Sequence, residues 1–168
     1  YLLKQRAEKY QEKIAFFVIK NRELSNISYS SLWKKVIEIG KGLYSINNRT
    51  RKPTIGLLTH NQLNGALVDL ACLSFGFKII PIPLNSTPEH ASYIINHSEI
   101  THLFIGGENA EKIWNVIRHS HDIVTVAMNE DNQITDYSMN WDLFLSSGDL
   151  VQDFDVNGQL IKIDMNAV

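Results

Sequence analysis

The chain has 168 residues, enough for one domain with a proper core, and its 44% hydrophobic and 20% charged content is typical of a globular protein. Its formal net charge of -2 argues against a nucleic-acid-binding protein, because binding to phosphates requires clustered Lys and Arg side chains. A single cysteine, Cys72, excludes an intrachain disulfide and favours a reducing compartment.

The sequence contains no recognisable targeting or membrane-spanning segment. No window approaches the roughly 20 uninterrupted apolar residues of a transmembrane helix, because Asp69 and Lys78 interrupt the best candidate. The first residue is Tyr1, and no signal-peptide pattern follows it. We therefore expect the sequence to be an excised or processed piece of a longer polypeptide.

The N-terminal segment predicts a short amphipathic helix followed by a β-hairpin. Over residues 1–10 the apolar side chains fall on one side of a helix. Residues 14–19 are β-branched or aromatic, which is typical of a strand, and a turn-rich segment leads to a second short strand at residues 27–28. These two strands are expected to pair as a hairpin.

A long amphipathic helix is predicted after the hairpin, with serines at its start as N-cap candidates. Its apolar residues recur at steps of three and four, which places them on one buried stripe. These residues are Leu32, Val36, Ile39, Leu43 and Ile46. Gly40 and Gly42 lie inside this helix, where each costs about 1 kcal/mol relative to Ala, so they predict close packing of the backbone.

Residues 54–97 predict a βαβ unit around which the other elements can be arranged. A compact apolar strand over residues 54–59 is followed by a helix over residues 62–75 that is apolar on most sides. Gly76 is suited to end this helix. The next strand, residues 78–82, is a continuous apolar run, which is typical of a parallel strand covered on both faces.

The rest of the chain continues the alternation of strands and helices. A helix is predicted to begin at Thr87-Pro88 and to end near His97. It is followed by a strand at 103–105, a helix at 108–119, a strand at 123–127 and a polar loop at 129–138. The last predicted elements are a helix at 141–145 stopped by Gly148 and an Asn-Gly hairpin at 156–160. This alternation predicts an α/β fold: a three-layer, mostly parallel sheet with helices on both faces, plus the short N-terminal hairpin.

Polar residues that follow the predicted parallel strands are the candidates for ligand binding, because ligands of open α/β sheets bind beyond the carboxyl ends of the strands. His60 and Asn61, directly after a buried strand, are the substrate-binding candidates. Asn61 has an alternative interpretation as the N-cap of the next helix. Gly106 and Gly107 could offer backbone N–H groups to a phosphate, but a plain turn is the simpler interpretation, and Glu108 would repel an anion.

No pattern in the sequence predicts a metal site or a catalytic constellation. The six histidines include no helical i, i+4 pair and no Cys–His cluster, so metal binding is not expected. Cys72 lies in a buried helix without an evident partner base. Asp69 fits either a buried functional carboxylate or, more simply, a paired residue on a helix face.

Several short motifs follow one another along the chain. Residues 10–16 are similar to a Y-P-x-K-x-A pattern in which Gln11 replaces proline, and residues 27–32 are similar to an [IL]-[ST]-Y-x-E-L pattern in which Ser31 replaces Glu. The later motifs are Ile55-Gly56-Leu57-Leu58 with Asn61, Asp69 and Leu73, then Gly76 to Leu84 as a G-x-x-x-V-P-L pattern, and then Thr87-Pro88-Glu89, Tyr93-Ile94 and Ser98. In this order they resemble the N-terminal part of the adenylate-forming (AMP-binding) acyl-CoA synthetase superfamily, and are most similar to long-chain fatty acid–CoA ligases.

The resemblance implies an N-terminal α/β subdomain over residues 1–150, and a weakly structured or hairpin tail over residues 151–168 that leads toward a phosphate-loop region. It implies a parent enzyme that uses ATP, Mg²⁺ and CoA to activate a fatty acid or other carboxylic acid as an acyl-adenylate and to transfer it to CoA. The family's catalytic motifs do not occur here, so we expect no catalytic residue, no metal and no cofactor in this chain, and no activity of the chain alone. The other subdomains of the same polypeptide are the expected partners.

Other assignments stay open on the sequence. An aryl-CoA ligase, a fatty-acyl-AMP ligase and a peptide-synthetase adenylation domain belong to the same superfamily. A free-standing flavodoxin-like binding module is an alternative from a different class. The resemblance implies a cytoplasmic protein and leaves peripheral association with a membrane open.

Overall fold

The computed structural model of the protein describes residues 2–20, 22–47, 52–129, 137–152 and 154–160. The strands are β1 (Ile14–Lys20), β2 (Glu23–Ser28), β3 (Thr54–Thr59), β4 (Lys78–Pro81), β5 (His102–Gly106), β6 (Val124–Ala127) and β7 (Met139–Asn140). The α-helices are α1 (Leu2–Tyr10), α2 (Tyr29–Ser45), α3 (Leu63–Phe75), α4 (Pro88–His97), α5 (Glu108–Ile117), α6 (Trp141–Asp149) and α7 (Val156–Gln159). A 3₁₀ turn, Arg118–Ser120, follows α5.

The fold is the predicted three-layer α/β arrangement. Five parallel strands form one sheet in the order β4-β3-β5-β6-β7, and β1 and β2 form a separate antiparallel hairpin. One hydrophobic core lies between the sheet and helices α2, α3 and α6, and a second lies between the opposite face and helices α4 and α5. Both faces of the sheet are therefore covered by helices.

Capping residues set several helix ends where the sequence predicts them. Ser28 accepts a hydrogen bond from the backbone N–H of Ser31 at the start of α2, and Thr87 accepts one from His90 at the start of α4. Gly76 ends α3 in the left-handed conformation, with φ at 74°, and its N–H donates to the Cys72 carbonyl at 2.9 Å. Glycine is favoured there because a Cβ would be strained at this φ.

The predicted stripe of α2 is buried, with Ile46 at its C-cap only partly covered. Its two glycines permit the close packing that the sequence predicts. A Cβ on Gly40 would overlap the Phe75 ring, and one on Gly42 would lie 2.7 Å from Cζ of Phe144. Helix α2 can therefore approach α3 and α6 more closely than a helix with side chains at these positions.

Strand β4 corrects one expectation. Its continuous apolar run predicts coverage on both faces, but β4 lies at one edge of the sheet, with Ile79 and Ile80 only partly buried and its two end residues exposed. Strand β5 occupies the central position and is buried at all but its first residue. The predicted βαβ unit exists, but it forms one side of the sheet rather than its centre.

Two further expectations are wrong near the C-terminus. Gly148 does not stop α6, which continues to Asp149, because this glycine packs against the backbone of α2. The Asn-Gly pair at 157–158 forms no hairpin; Asp155 caps the short helix α7 by accepting a hydrogen bond from the Asn157 N–H. Most of the predicted polar loop, residues 130–136, and the last eight residues lie outside the described part of the chain. None of the described helices has both the length and the apolar run that crossing a membrane requires.

Candidate functional site

Three parallel strands bring polar residues to one edge of the sheet. The last residue of β3, Thr59, lies in register with the last residue of β5, Gly106. Strand β6 ends beside them, since the Met128 N–H donates to the Ile105 carbonyl at 2.9 Å. This edge is where ligands of open α/β sheets bind.

The Thr59 hydroxyl is the centre of a small hydrogen-bond network at this edge. Its Oγ1 lies 3.0 Å from the carbonyl oxygens of both Gly106 and His60, so its proton can be donated to either. The same oxygen accepts a hydrogen bond from Nε2 of Gln62 at 2.6 Å. The network joins the end of β3 to β5 and to the start of α3.

His60 is held in one orientation by this network although its side chain is exposed. Its Nδ1 lies 3.2 Å from the Gly106 carbonyl oxygen. A carbonyl only accepts hydrogen bonds, so Nδ1 is the donor in this contact and Nε2 faces away from it. Gly107, with φ at 95°, leaves room for the ring, because a Cβ at that position would overlap Nδ1 of His60.

Asn61 is exposed and forms no side-chain hydrogen bond with any residue that the structure describes. The alternative interpretation of Asn61 as an N-cap is wrong. Gln62 is the N-cap of α3, and its side chain makes no capping bond because its amide reaches Thr59 instead. The polar side chain of Asn61 is thus left for other contacts.

Asn64, in the first turn of α3, connects this helix by a hydrogen bond to the residue that follows β6. Its Nδ2 donates to the Met128 carbonyl oxygen at 2.9 Å, just beyond the end of β6. Gly106 leaves space at the same place, since a Cβ there would overlap Nε2 of Gln62 and lie 2.6 Å from Oγ1 of Thr59. The edge is therefore a hydrogen-bonded, polar surface on which His60 and Asn61 are exposed.

The start of α5 does not favour an anion. Gly107 is its N-cap, but Glu108 and Glu111 carry negative charge into the first turn. Lys112 lies 2.6 Å from Glu108 and holds the pKa of that carboxyl below its usual value, so Glu108 stays ionised. The simpler interpretation of Gly106-Gly107, a plain turn, fits this charge.

The other candidates lie apart from this edge. Cys72 is fully buried in α3, and burial raises the pKa of its thiol well above the usual range, so it is not a reactive thiolate. Asp69 lies half-buried on the same helix. Across the described residues, no three His, Cys, Asp or Glu side chains come together in a way that could hold a metal ion.

Comparison with known proteins identifies the family. The model of the AMP-binding enzyme family matches residues 3–149, which is most of the chain. The chain belongs to the AMP-binding enzyme family. A comparison with curated protein sequences found no match.

Solved structures share the fold of this AMP-binding chain. One is coronafacic acid ligase from Pectobacterium brasiliense, with a TM-score of 0.70 and 18% sequence identity, over 86% of this chain and 28% of that protein. Another is a luciferase-like enzyme from the nonluminescent mealworm Zophobas morio, with a TM-score of 0.70 and 13% identity, over 96% of this chain and 36% of that protein. The chain therefore spans about a third or less of the length of these proteins.

The rule on strand ends predicts this edge of the AMP-binding chain as the candidate site, but it does not predict the residues that support the edge. His60 and Asn61 are predicted as candidates, and their contact with a substrate stays a prediction. Thr59, Gln62 and Asn64 hold the edge together, and single-sequence patterns did not reveal them. The available signal was the Gly106-Gly107 pair at the end of a neighbouring strand, because two residues without Cβ leave space for side chains from the next strand.

Proposed function

We propose that this chain is the N-terminal part of an ATP-dependent, AMP-forming acid–CoA ligase whose acid substrate is a fatty acid. The match of the AMP-binding family over residues 3–149 carries the proposal. The similarity in fold to an enzyme named as an acid ligase supports activation of a carboxylic acid. The motifs from Tyr10 to Ser98, in the order found in long-chain fatty acid–CoA ligases, support the choice of acid.

The proposed reaction has two steps. The carboxylate of the acid attacks the α-phosphorus of ATP, which forms an acyl-adenylate and releases pyrophosphate. The CoA thiolate then attacks the acyl carbonyl carbon, which forms the thioester and releases AMP. Mg²⁺ would accompany ATP in this scheme and offset the charge of its phosphates.

The described residues do not themselves fit the triphosphate or its metal ion. They contain no cluster of three potential metal ligands, and the start of α5 carries two carboxylates. We assign to this chain one wall of the substrate site, in which His60 and Asn61 contact the substrate and the Gly106 carbonyl, which also accepts from Thr59, positions the His60 ring. The single buried cysteine supports a cytoplasmic location.

Thioester formation is the test of the proposed substrate class. The protein expressed from its complete reading frame is incubated with ATP, Mg²⁺, CoA and a panel of fatty and aromatic acids, and acyl-CoA products are measured by mass spectrometry. We expect fatty acyl-CoA, and we expect Asn61→Ala to raise KM for the acid while the exposed control Asn109→Ala does not. Products from aromatic acids alone, or adenylates without thioesters, would contradict the fatty acid–CoA assignment, and an unchanged KM in Asn61→Ala would contradict the assigned wall.

A further inference from the structure

Residues 154–160, which follow α6 and include α7, pack against the core that α2 and α3 cover. We call these residues the strap. Leu160, at its end, is only 6% exposed and belongs to this core. Phe154, at its start, and Val156 are partly buried and pack against the same core. The strap is therefore anchored at both ends by apolar side chains.

The Phe154 ring belongs to an aromatic cluster built from α2 and the C-terminal end of α3. It meets the Tyr44 ring edge-on, with centroids 5.1 Å apart, and the Phe75 ring edge-on at 5.4 Å. Tyr44 also meets the Phe77 ring edge-on at 5.2 Å. Edge-on pairs are an arrangement that the ring quadrupoles favour. Tyr44 therefore joins the strap to the residue that directly precedes β4.

Two polar side chains hold the middle of the strap. The Tyr44 hydroxyl donates a hydrogen bond to Oε1 of Gln159. Burial raises the pKa of the Tyr44 phenol, so the hydroxyl keeps its proton at neutral pH and remains a donor. Nζ of Lys4, in α1, donates to Oδ1 of Asn157 at 2.6 Å. The strap is thus joined to the first helix of the chain as well as to α2.

The strap lies at the edge of the sheet opposite to the candidate site. Phe77 directly precedes the first residue of β4, so the aromatic cluster lies at the amino-terminal edge. Lys52, which precedes β3, lies there too, with its Nζ 5.4 Å from the centroid of the Phe77 ring. His60 follows the last residue of β3, at the carboxyl-terminal edge. A substitution in the strap therefore removes no group from the edge where a ligand is expected.

We propose that the strap fixes the place at which the polypeptide leaves this α/β domain, and that Tyr44 is the residue that holds it there. The proposal rests on the proposed function in one respect, namely that the polypeptide after Leu160 leads to the rest of the ligase. Tyr44 and Phe154 are then positioning residues: they determine where the next segment begins without touching a reacting group. Small displacements of reacting groups lower the rate of an enzyme strongly.

The strap is expected to open more easily than the rest of the domain. Its helix has four residues, too few to be stable without tertiary contacts, and residues 157–159 are exposed. Its order therefore depends on the contacts of Phe154 and Leu160 and on the hydrogen bonds from Tyr44 and Lys4. Segments with few buried contacts open locally at a lower free energy than the core. Loss of one of these contacts should thus loosen the strap and leave the sheet intact.

Hydrogen exchange measured by mass spectrometry tests how the strap is held, using the protein expressed from its complete reading frame. In the parent, the hydrogen-bonded amides of Gln159 and Leu160 should be protected. Tyr44→Phe removes only the hydroxyl and should speed exchange of the strap peptide about fivefold, with the β5 peptide unchanged. The matched control Tyr93→Phe changes a tyrosine of α4 that is 60% exposed, and the strap should exchange as in the parent.

Acid-dependent ATP–pyrophosphate exchange tests whether the strap acts as a positioning element. Phe154→Ala should lower kcat about tenfold while KM for the acid changes less than about twofold, because the carboxyl-terminal edge of the sheet is intact. Phe154→Tyr keeps the aromatic ring and should retain a kcat close to that of the parent. Circular dichroism and thermal melts check that each variant is folded at the assay temperature.

Several results would overturn the proposal. These are exchange of the parent's strap peptide at the rate of an unstructured peptide, equal exchange in Tyr44→Phe and the parent, or an equal acceleration in Tyr93→Phe. An unchanged kcat in Phe154→Ala despite an open strap would also contradict it, and so would an equal loss of protection in β5, which would indicate a general loss of stability. A parent protein without acid-dependent exchange would contradict the proposed ligase function instead, and hydrogen exchange then judges the strap by itself.

Discussion

Two adjacent glycines, Gly106 and Gly107, determine how the carboxyl ends of β3 and β5 meet. Without Cβ atoms they leave space for Gln62 and His60, and Gly107 adopts φ at 95°, a conformation that L side chains rarely take. The orientation of His60 thus depends on the absence of a Cβ atom at Gly107, at the end of the neighbouring strand. Such a dependence is visible only once the two strands are placed side by side.

Gly107→Ala tests this dependence. We expect the free energy of unfolding to fall by about 1–3 kcal/mol, since the methyl group overlaps the His60 ring and the backbone is strained. Urea denaturation followed by circular dichroism measures the loss. In a double-mutant cycle, adding His60→Ala should recover the part due to ring overlap but not the part due to φ. A Gly107→Ala protein as stable as the parent would show that this region relaxes freely.

Stability at mildly acidic pH is expected to depend on His102, at the start of β5. Burial lowers the pKa of His102, and burial also lowers the pKa of His121. In the unfolded chain these rings take up a proton near pH 6.5, whereas in the folded chain they resist it. Protonation therefore favours the unfolded state, and stability falls as pH decreases through about 6.5.

Urea denaturation at about pH 7.5 and about pH 5.5 measures this effect, in a range above the titration of ordinary carboxylates. The parent should be less stable at the lower pH. His102→Gln should show a smaller difference between the two conditions, while His119→Gln, which replaces an exposed histidine of the 3₁₀ turn, should behave as the parent. An identical pH dependence of His102→Gln and the parent would refute the assignment.

At the scale of elements, glycines on both helices define the contact between α2 and α6. Gly42 receives the Phe144 ring, and Gly148 lies against the backbone of Lys41 and Gly42. Ser45 and Ser147 add a hydrogen bond of 2.5 Å across the same interface. The two helices therefore pack as one unit on the face of the sheet that α3 also covers.

Gly148→Ala should destabilise the protein by about 2 kcal/mol. Alanine favours a helix by about 1 kcal/mol over glycine, but the new Cβ would lie 2.8 Å from the Gly42 nitrogen, and backbone atoms move at a larger cost. Thermal denaturation measures the change. Ser146→Ala, on the exposed side of the same helix, is the control and should change stability by less than about 0.5 kcal/mol. A Gly148→Ala variant of equal or greater stability would show that the helices can separate without loss.

Most helices and strands could be predicted as such from the sequence. The place of β4 in the sheet and the helical conformation at Gly148 and Gly158 could not. Periodicity and caps located α2 and α4 because those signals are local. Strand β4 lies at the edge because, among the described strands, only β3 pairs with it, and a run of apolar residues does not encode which strands pair. The two wrong glycine interpretations share a cause: Gly148 and Gly158 lie in helices because of packing and capping by distant or neighbouring residues, which override local turn preference.

At the scale of the whole molecule, the fold and the family could be read from the order of motifs, and the candidate site only in outline. His60 and Asn61 follow from the rule on strand ends, but the hydrogen bonds beside them join β3, β5 and α3, and α3 to the residue after β6. Hydrogen bonds between residues far apart in the sequence can be predicted only when the order of the strands in the sheet is known. The proposed reaction has to be tested on the complete polypeptide, since this chain spans 28% and 36% of two solved proteins of the same fold.

ATP–pyrophosphate exchange is the most direct measurement of the central claim, that this AMP-binding chain is part of an acid-activating ligase. With the protein from its complete reading frame, ATP and Mg²⁺, labelled pyrophosphate should enter ATP only when a carboxylic acid substrate is added, because exchange requires reversible acyl-adenylate formation. Residues 1–168 alone should give no exchange with any acid. Exchange by residues 1–168 alone, or no acid-dependent exchange by the complete protein across fatty and aromatic acids, would contradict the account.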